Sequence, residues 1–146
     1  MKIIIESIPH KDQRYDTCGD YWIDPKDRTV HIKVSELDSL PEMLCIAIHE
    51  LVEWALCDVE GIDNDEITSF DEAHDGADGS EPGDDTSAPY YKQHQIATGV
   101  ERIVAAEMGV DWAAYEEDIR RLGGERATTK EVPVKDMTWT DIFKQS

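Results

Sequence analysis

The sequence predicts an α+β domain, in which a small antiparallel N-terminal sheet packs on a helical body. Three observations predict it. The first 35 residues hold short β-branched or alternating runs separated by turn residues. Residues 39–122 divide into helix-length segments that open on capping residues. One of these segments is apolar almost all round, as a buried helix is. The length of 146 residues suits a single domain, 1–146, with a real core. Within it, 1–35 is β-rich, 39–122 is helical with an acidic loop at 75–89, and 123–146 is an irregular C-terminal segment.

The first strand is expected over Lys2 to Glu6. Tyr21 to Asp24 and Thr29 to Val34 form two more, joined as a hairpin through Pro25, Lys26, Asp27 and Arg28. Strict alternation places Val30, Ile32 and Val34 on one face and His31 and Lys33 on the other. His31 is then exposed, and neither it nor His10, ahead of a polar turn, is expected to act as a ligand.

The central helix runs between Ser39 and Gly61. Ser39 caps it, Glu42 completes a capping box, Pro41 sits in the first turn, and Gly61 suits the C-terminal stop. Its apolar surface is interrupted by His49, Glu50 and Glu53, which fall within an arc of roughly 100°. A buried carboxylate must be paired, protonated or bound to a metal. One divalent cation satisfies all three side chains.

A second helix, Asp65 to His74, starts from the Asp63 to Glu66 cap. The Gly-, Pro- and Asp-rich loop 75–89 follows, read as a solvated acidic loop because the EF-hand spacing of a calcium loop is absent. Ser87 is expected to cap a third helix, with Pro89 in its first turn and Gly109 at its end. Ile96, Val100, Ile103 and Val104 are its expected core stripe. Tyr90, His94, Thr98, Glu101 and Ala105 share a second face. A fourth helix runs from Trp112, capped by Asp111, to about Leu122, where Gly123 and Gly124 are expected to stop it. Val132, Val134, Trp139, Ile142 and Phe143 are scattered through the rest, which is expected to add an edge strand or wrap the surface.

The H-E-L-V-E run at 49–53 resembles the H-E-x-x-H helix of zincin-type metallopeptidases, with Glu in place of the last His. The resemblance covers this helix alone. It implies that His49 is a zinc ligand, that Glu50 is the general base, and that Glu53 is a carboxylate ligand. A catalytic zinc needs a third ligand, for which His94 is the choice on the third helix. Glu101, His74 and Asp71 remain as further ligands or supports, and Tyr90 or Tyr91 as the donor to a developing oxyanion. The cofactor is then zinc or another divalent cation, and the reaction is hydrolysis of an amide or similar bond by a metallopeptidase-like hydrolase.

The chain also resembles small phage proteins that carry such a helix. That resemblance implies no activity; together with the formal charge of −19 it suits a second function, an acidic interaction protein that engages a host protein and keeps its metal, or a polar core, for structure. A third reading is a magnesium-dependent nucleotide pyrophosphohydrolase, whose paired acidic motifs match the spacing of Glu50 and Glu53, then Glu72 and Asp75.

The formal charge of −19 argues against direct nucleic-acid binding through phosphates and accommodates divalent cations or a basic partner. Apolar residues make up 40% and charged ones 32%, as in a soluble globular chain. No run reaches the ~18 apolar residues of a membrane span, and the first residues are too short a run for a signal peptide, so a cytoplasmic setting is expected. Cys18, Cys45 and Cys57 make no disulfide framework. Cys45 and Cys57, on one helix, stand about 18 Å apart and cannot bridge.

Overall fold

The computed structural model describes residues 1–76 and 79–125. Three strands, β1 (Ile3–Ile8), β2 (Gly19–Ile23) and β3 (Val30–Ser35), form one sheet in the order β1-β3-β2. Four helices follow: α1 (Leu40–Glu60), α2 (Asn64–Ala73), α3 (Tyr91–Glu107) and α4 (Trp112–Glu125). The fold is α+β.

The sheet is mixed rather than wholly antiparallel. β2 and β3 form the expected hairpin, with Tyr21 opposite Ile32 and Trp22 opposite His31. β1 instead pairs parallel with β3, Ile3 opposite Val30 and Ile5 opposite Ile32. The reason lies in residues 9–18, which carry the chain past β3 to the far edge. They are pinned to the end of β3, where Ser35 Oγ meets His10 Nδ1 at 2.9 Å and Gln13 Nε2 at 3.1 Å. β3 takes the centre because it is the most apolar strand on its inner face, with Val30, Ile32 and Val34 all buried. Full burial of each such side chain contributes about 1.5–3 kcal/mol. His31 is half-buried, stacked on Trp22 with ring centroids 5.2 Å apart.

α1 begins and ends as its sequence dictates. Ser39 Oγ accepts from the Glu42 backbone N–H at 3.4 Å, and Gly61 closes the helix in the left-handed region at φ 70°. The capping box is only half formed, because the Glu42 carboxyl faces Asp118 on α4; burial and that neighbour hold it above the usual carboxylate range. α1 packs against β2 and β3 on one side and α3 on the other.

α3 corrects two expectations. It starts at Tyr91, after a turn in which Ser87 bonds Asp85 rather than capping the helix. Its buried face is Gln93, His94, Ala97, Glu101 and Ala105, whereas Ile96 is 43% and Ile103 67% exposed. Ala97 and Ala105 let the α1 and α3 backbones approach, and the buried polar residues of this face find partners on α1, Gln93 with Glu60, His94 with Glu53 and Glu101 with His49. α4 runs through Gly123 and Gly124 to Glu125 instead of stopping at the glycine pair. The expectation of an edge strand or wrap after Glu125 lies outside the described residues. Loop 75–89 is less fully solvated than expected: a 3-10 turn at Pro82–Asp84 packs on α3 and buries Gly83. Among the described residues, no helix is long and apolar enough to cross a membrane.

Candidate metal centre

Mid-α1 and the first half of α3 meet at His49, Glu53 and His94, all buried. His49 Nε2 lies 3.2 Å from Glu53 Oε2 and 3.2 Å from His94 Nδ1, and His94 Nδ1 lies 2.9 Å from Glu53 Oε2. The three atoms form a nearly equilateral triangle, so the two nitrogens subtend only about 60° at the Glu53 oxygen. Two separate N–H donors on one carboxylate oxygen follow its lone pairs and spread more widely than that. Three tetrahedral donors, each about 2 Å from one cation, stand about 3.3 Å apart. The triangle has the spacing of three donors to a single divalent ion, as well as that of a hydrogen-bonded trio.

Each imidazole is held from behind. His49 Nδ1 donates to Glu101 Oε2 at 2.9 Å, which leaves its Nε2 lone pair for the triangle, and Glu101 Oε1 accepts from Tyr115 O–H at 2.5 Å. His94 Nε2 lies 3.5 Å from both Glu81 Oε2 and Asp84 Oδ1. The 3-10 turn can press on the His94 ring only because residue 83 is glycine: a Cβ there would stand 2.3 Å from Cγ of the ring. Glu81, Asp84 and His94 form a second group with cation-ligand spacing, on the exposed side of His94.

Without an ion the same atoms are a charged network. Burial lowers the His49 pKa, but the bonds to Glu101 and Glu53 outweigh it and lift the imidazole to about 11. Burial raises the Glu53 carboxyl, and the His49 and His94 hydrogen bonds more than offset this and hold it below the usual range.

Glu50 stands on the neighbouring arc of α1 and lines a cavity of about 510 Å³ that the three donors also line. It is half-buried and makes no hydrogen bond or ion pair with another described residue. Desolvation, then the Glu53 charge, push its pKa well up. Gly19 on β2 makes room for it, since a Cβ there would lie 2.4 Å from Glu50 Oε1.

Of the other sequence candidates, Glu101 stands behind His49 rather than in the triangle. His74 lines the cavity but turns its Nε2 to Ser80, 3.2 Å from Oγ. Asp71 lies on the cavity wall, its two oxygens accepting from Tyr15 (2.9 Å) and Tyr90. Tyr90 thus spends its hydroxyl proton on Asp71 instead of presenting it to the cavity, and Tyr91 is at the exposed start of α3. Glu72 is exposed and outside the cavity, and Asp75 falls beyond the end of α2. Sequence reasoning missed Tyr15, Tyr115, Glu81 and Asp84. A buried Glu101 demands a second donor, which points to a tyrosine nearby; nothing local marks the loop acids.

If the triangle holds a divalent ion, Glu101→Gln is expected to weaken its binding 10–100-fold with stoichiometry unchanged, because the carboxylate that orients His49 is lost. Competition titration against a chromophoric chelator measures it, and unchanged affinity would separate Glu101 from the ion.

Compared with protein-family models, curated proteins and solved structures, the chain matches none of them.

Proposed function

We propose that this chain is a zincin-like hydrolase of amide bonds, dependent on zinc or another divalent cation held by His49, Glu53 and His94. The observation that carries the reading is the near-equilateral triangle of donor atoms beside a cavity that contains Glu50. A cation there supplies the Lewis acidity that polarises a carbonyl and activates water. Glu50, which has no hydrogen bond or ion pair with another described residue, takes the proton from the attacking water and returns it to the leaving amine. Glu101, Tyr115, Glu81 and Asp84 hold the imidazoles in register. The three free cysteines suit a reducing compartment such as the cytoplasm.

The test begins with elemental analysis of protein purified without chelator, alongside His49→Ala. The parent is expected to retain near-stoichiometric zinc and the variant to lose it. Peptide-library hydrolysis by the loaded parent then tests the reaction. Absence of metal from both proteins would overturn the reading.

A second reading, an interaction protein whose polar core or metal is structural, is favoured by one observation: the trio and Glu101 already form a hydrogen-bonded network in which His49 is held protonated. Its signature is a folded protein, with or without metal, that binds a host protein and hydrolyses nothing.

A further inference from the structure

We infer that the cavity accepts a substrate bearing a lysine or arginine side chain, and that Asp71 is the carboxylate that receives it. The word substrate rests on the hydrolase reading; the binding preference itself does not. Among the described residues, the cavity is lined by ten Asp or Glu residues, one Arg and no Lys. Asp20 is satisfied by Arg14 at 2.6 Å, and Glu53 and Glu101 by His49. Asp71 has no Lys, Arg or His in ion-pair reach among the described residues. Tyr15 and Tyr90, one on each oxygen, fix its plane and leave half of its lone-pair sites open. That is the geometry that takes an ammonium at one oxygen or a guanidinium at both.

The neighbours suit the rest of such a side chain. Ile67, one turn before Asp71 on α2, and Ile46 on α1 line the same cavity. An aliphatic stem can lie on them while its charged head reaches the carboxylate. Burial pushes the Asp71 carboxyl up to about 6, with the tyrosine hydroxyls offsetting part of the rise. It is ionised at neutral pH, at a cost that an incoming cation relieves. Glu50 is the weaker choice because it stands next to His49 and has no donor to fix its plane.

The experiment is calorimetric titration of two blocked pentapeptides, Ala-Ala-Lys-Ala-Ala and Ala-Ala-Met-Ala-Ala, into the chelated and the zinc-loaded protein. The lysine peptide is expected to bind about tenfold tighter in both states, as a charge-assisted hydrogen bond provides. Asp71→Asn should abolish the preference, whereas Glu66→Gln, an exposed acid outside the cavity, should keep it. Tyr15→Phe, which retains the carboxylate but frees its plane, should keep part of it and serves if Asp71→Asn does not fold. Equal binding of the two peptides by the parent, or an unchanged preference in Asp71→Asn or Tyr15→Phe, would overturn the inference. His49→Ala should lose metal and keep the lysine preference, so the two proposals fail separately.

Discussion

For the hydrolase proposed, Glu50→Gln is expected to lower kcat for amide hydrolysis by about 10²–10⁴, the contribution of one positioned acid–base group, with the content of divalent ion unchanged from the parent's. The expectation follows from where Glu50 stands. It shares the cavity with the triangle but makes no bond to it, so its removal leaves the three donors and their supports intact. The same variant should melt no lower than the parent. The folded pKa of Glu50 lies above its ordinary 4.5, so ionising it costs stability as pH rises through the folded value. Gln removes the charge and keeps the volume. Loss of activity with metal and melting temperature preserved would assign Glu50 to the chemistry. Loss of metal in the variant would make it a ligand instead, and retained activity would remove it from the mechanism.

The elements that declare their own ends were legible in the sequence. Ser39 and Gly61 bound α1 because a cap and a left-handed glycine are local devices, and the alternation of Val30, Ile32 and Val34 showed the inner face of β3 for the same reason. His49, Glu53 and His94 could be grouped because four-residue spacing on one helix and a matching polar face on another are also local patterns. What failed depended on distant partners. On α3 the apolar stripe of Ile96 and Ile103 reads as core, yet the chain buries His94 and Glu101 because α1 offers them Glu53 and His49. A hydrophobic pattern counts residues, and it does not count hydrogen bonds made across helices. The parallel pairing of β1 rested on how residues 9–18 attach to Ser35, and Glu81 and Asp84 reached His94 only through the tertiary path of an acidic loop.

If His49, Glu53 and His94 hold a divalent ion as proposed, stripping it with EDTA is expected to lower the melting temperature, and by more at alkaline than at acid pH. A ligand present at about a thousand times its Kd contributes about 4 kcal/mol, which for a domain of this size is about 10 °C. The pH trend comes from what replaces the ion. In metal-free protein the His49 imidazole is lifted from 6.5 to about 11, because the bonds to Glu101 and Glu53 outweigh its burial. A folded pKa above the unfolded one stabilises fully below the unfolded value, and that contribution decays as pH rises from about 6.5 toward 11. Glu53, held below its ordinary 4.5, contributes above that value and loses its contribution only as pH falls. The His49 ion pairs therefore remain formed at pH 9, but their contribution to stability is full near pH 6 and smaller at pH 9, where the unfolded imidazole is neutral. An incoming ion must displace the His49 proton, so its affinity climbs about tenfold per pH unit and continues to climb above pH 7, where a free imidazole would have levelled off. Melting curves at pH 6, 7.5 and 9, with zinc and with chelator, should therefore diverge as pH rises. A constant gap would mean that His49 is neutral in the metal-free protein. No gap at any pH would leave the triangle as a hydrogen-bonded core that holds α1 against α3, and the search would turn to what the acidic cavity binds without a metal.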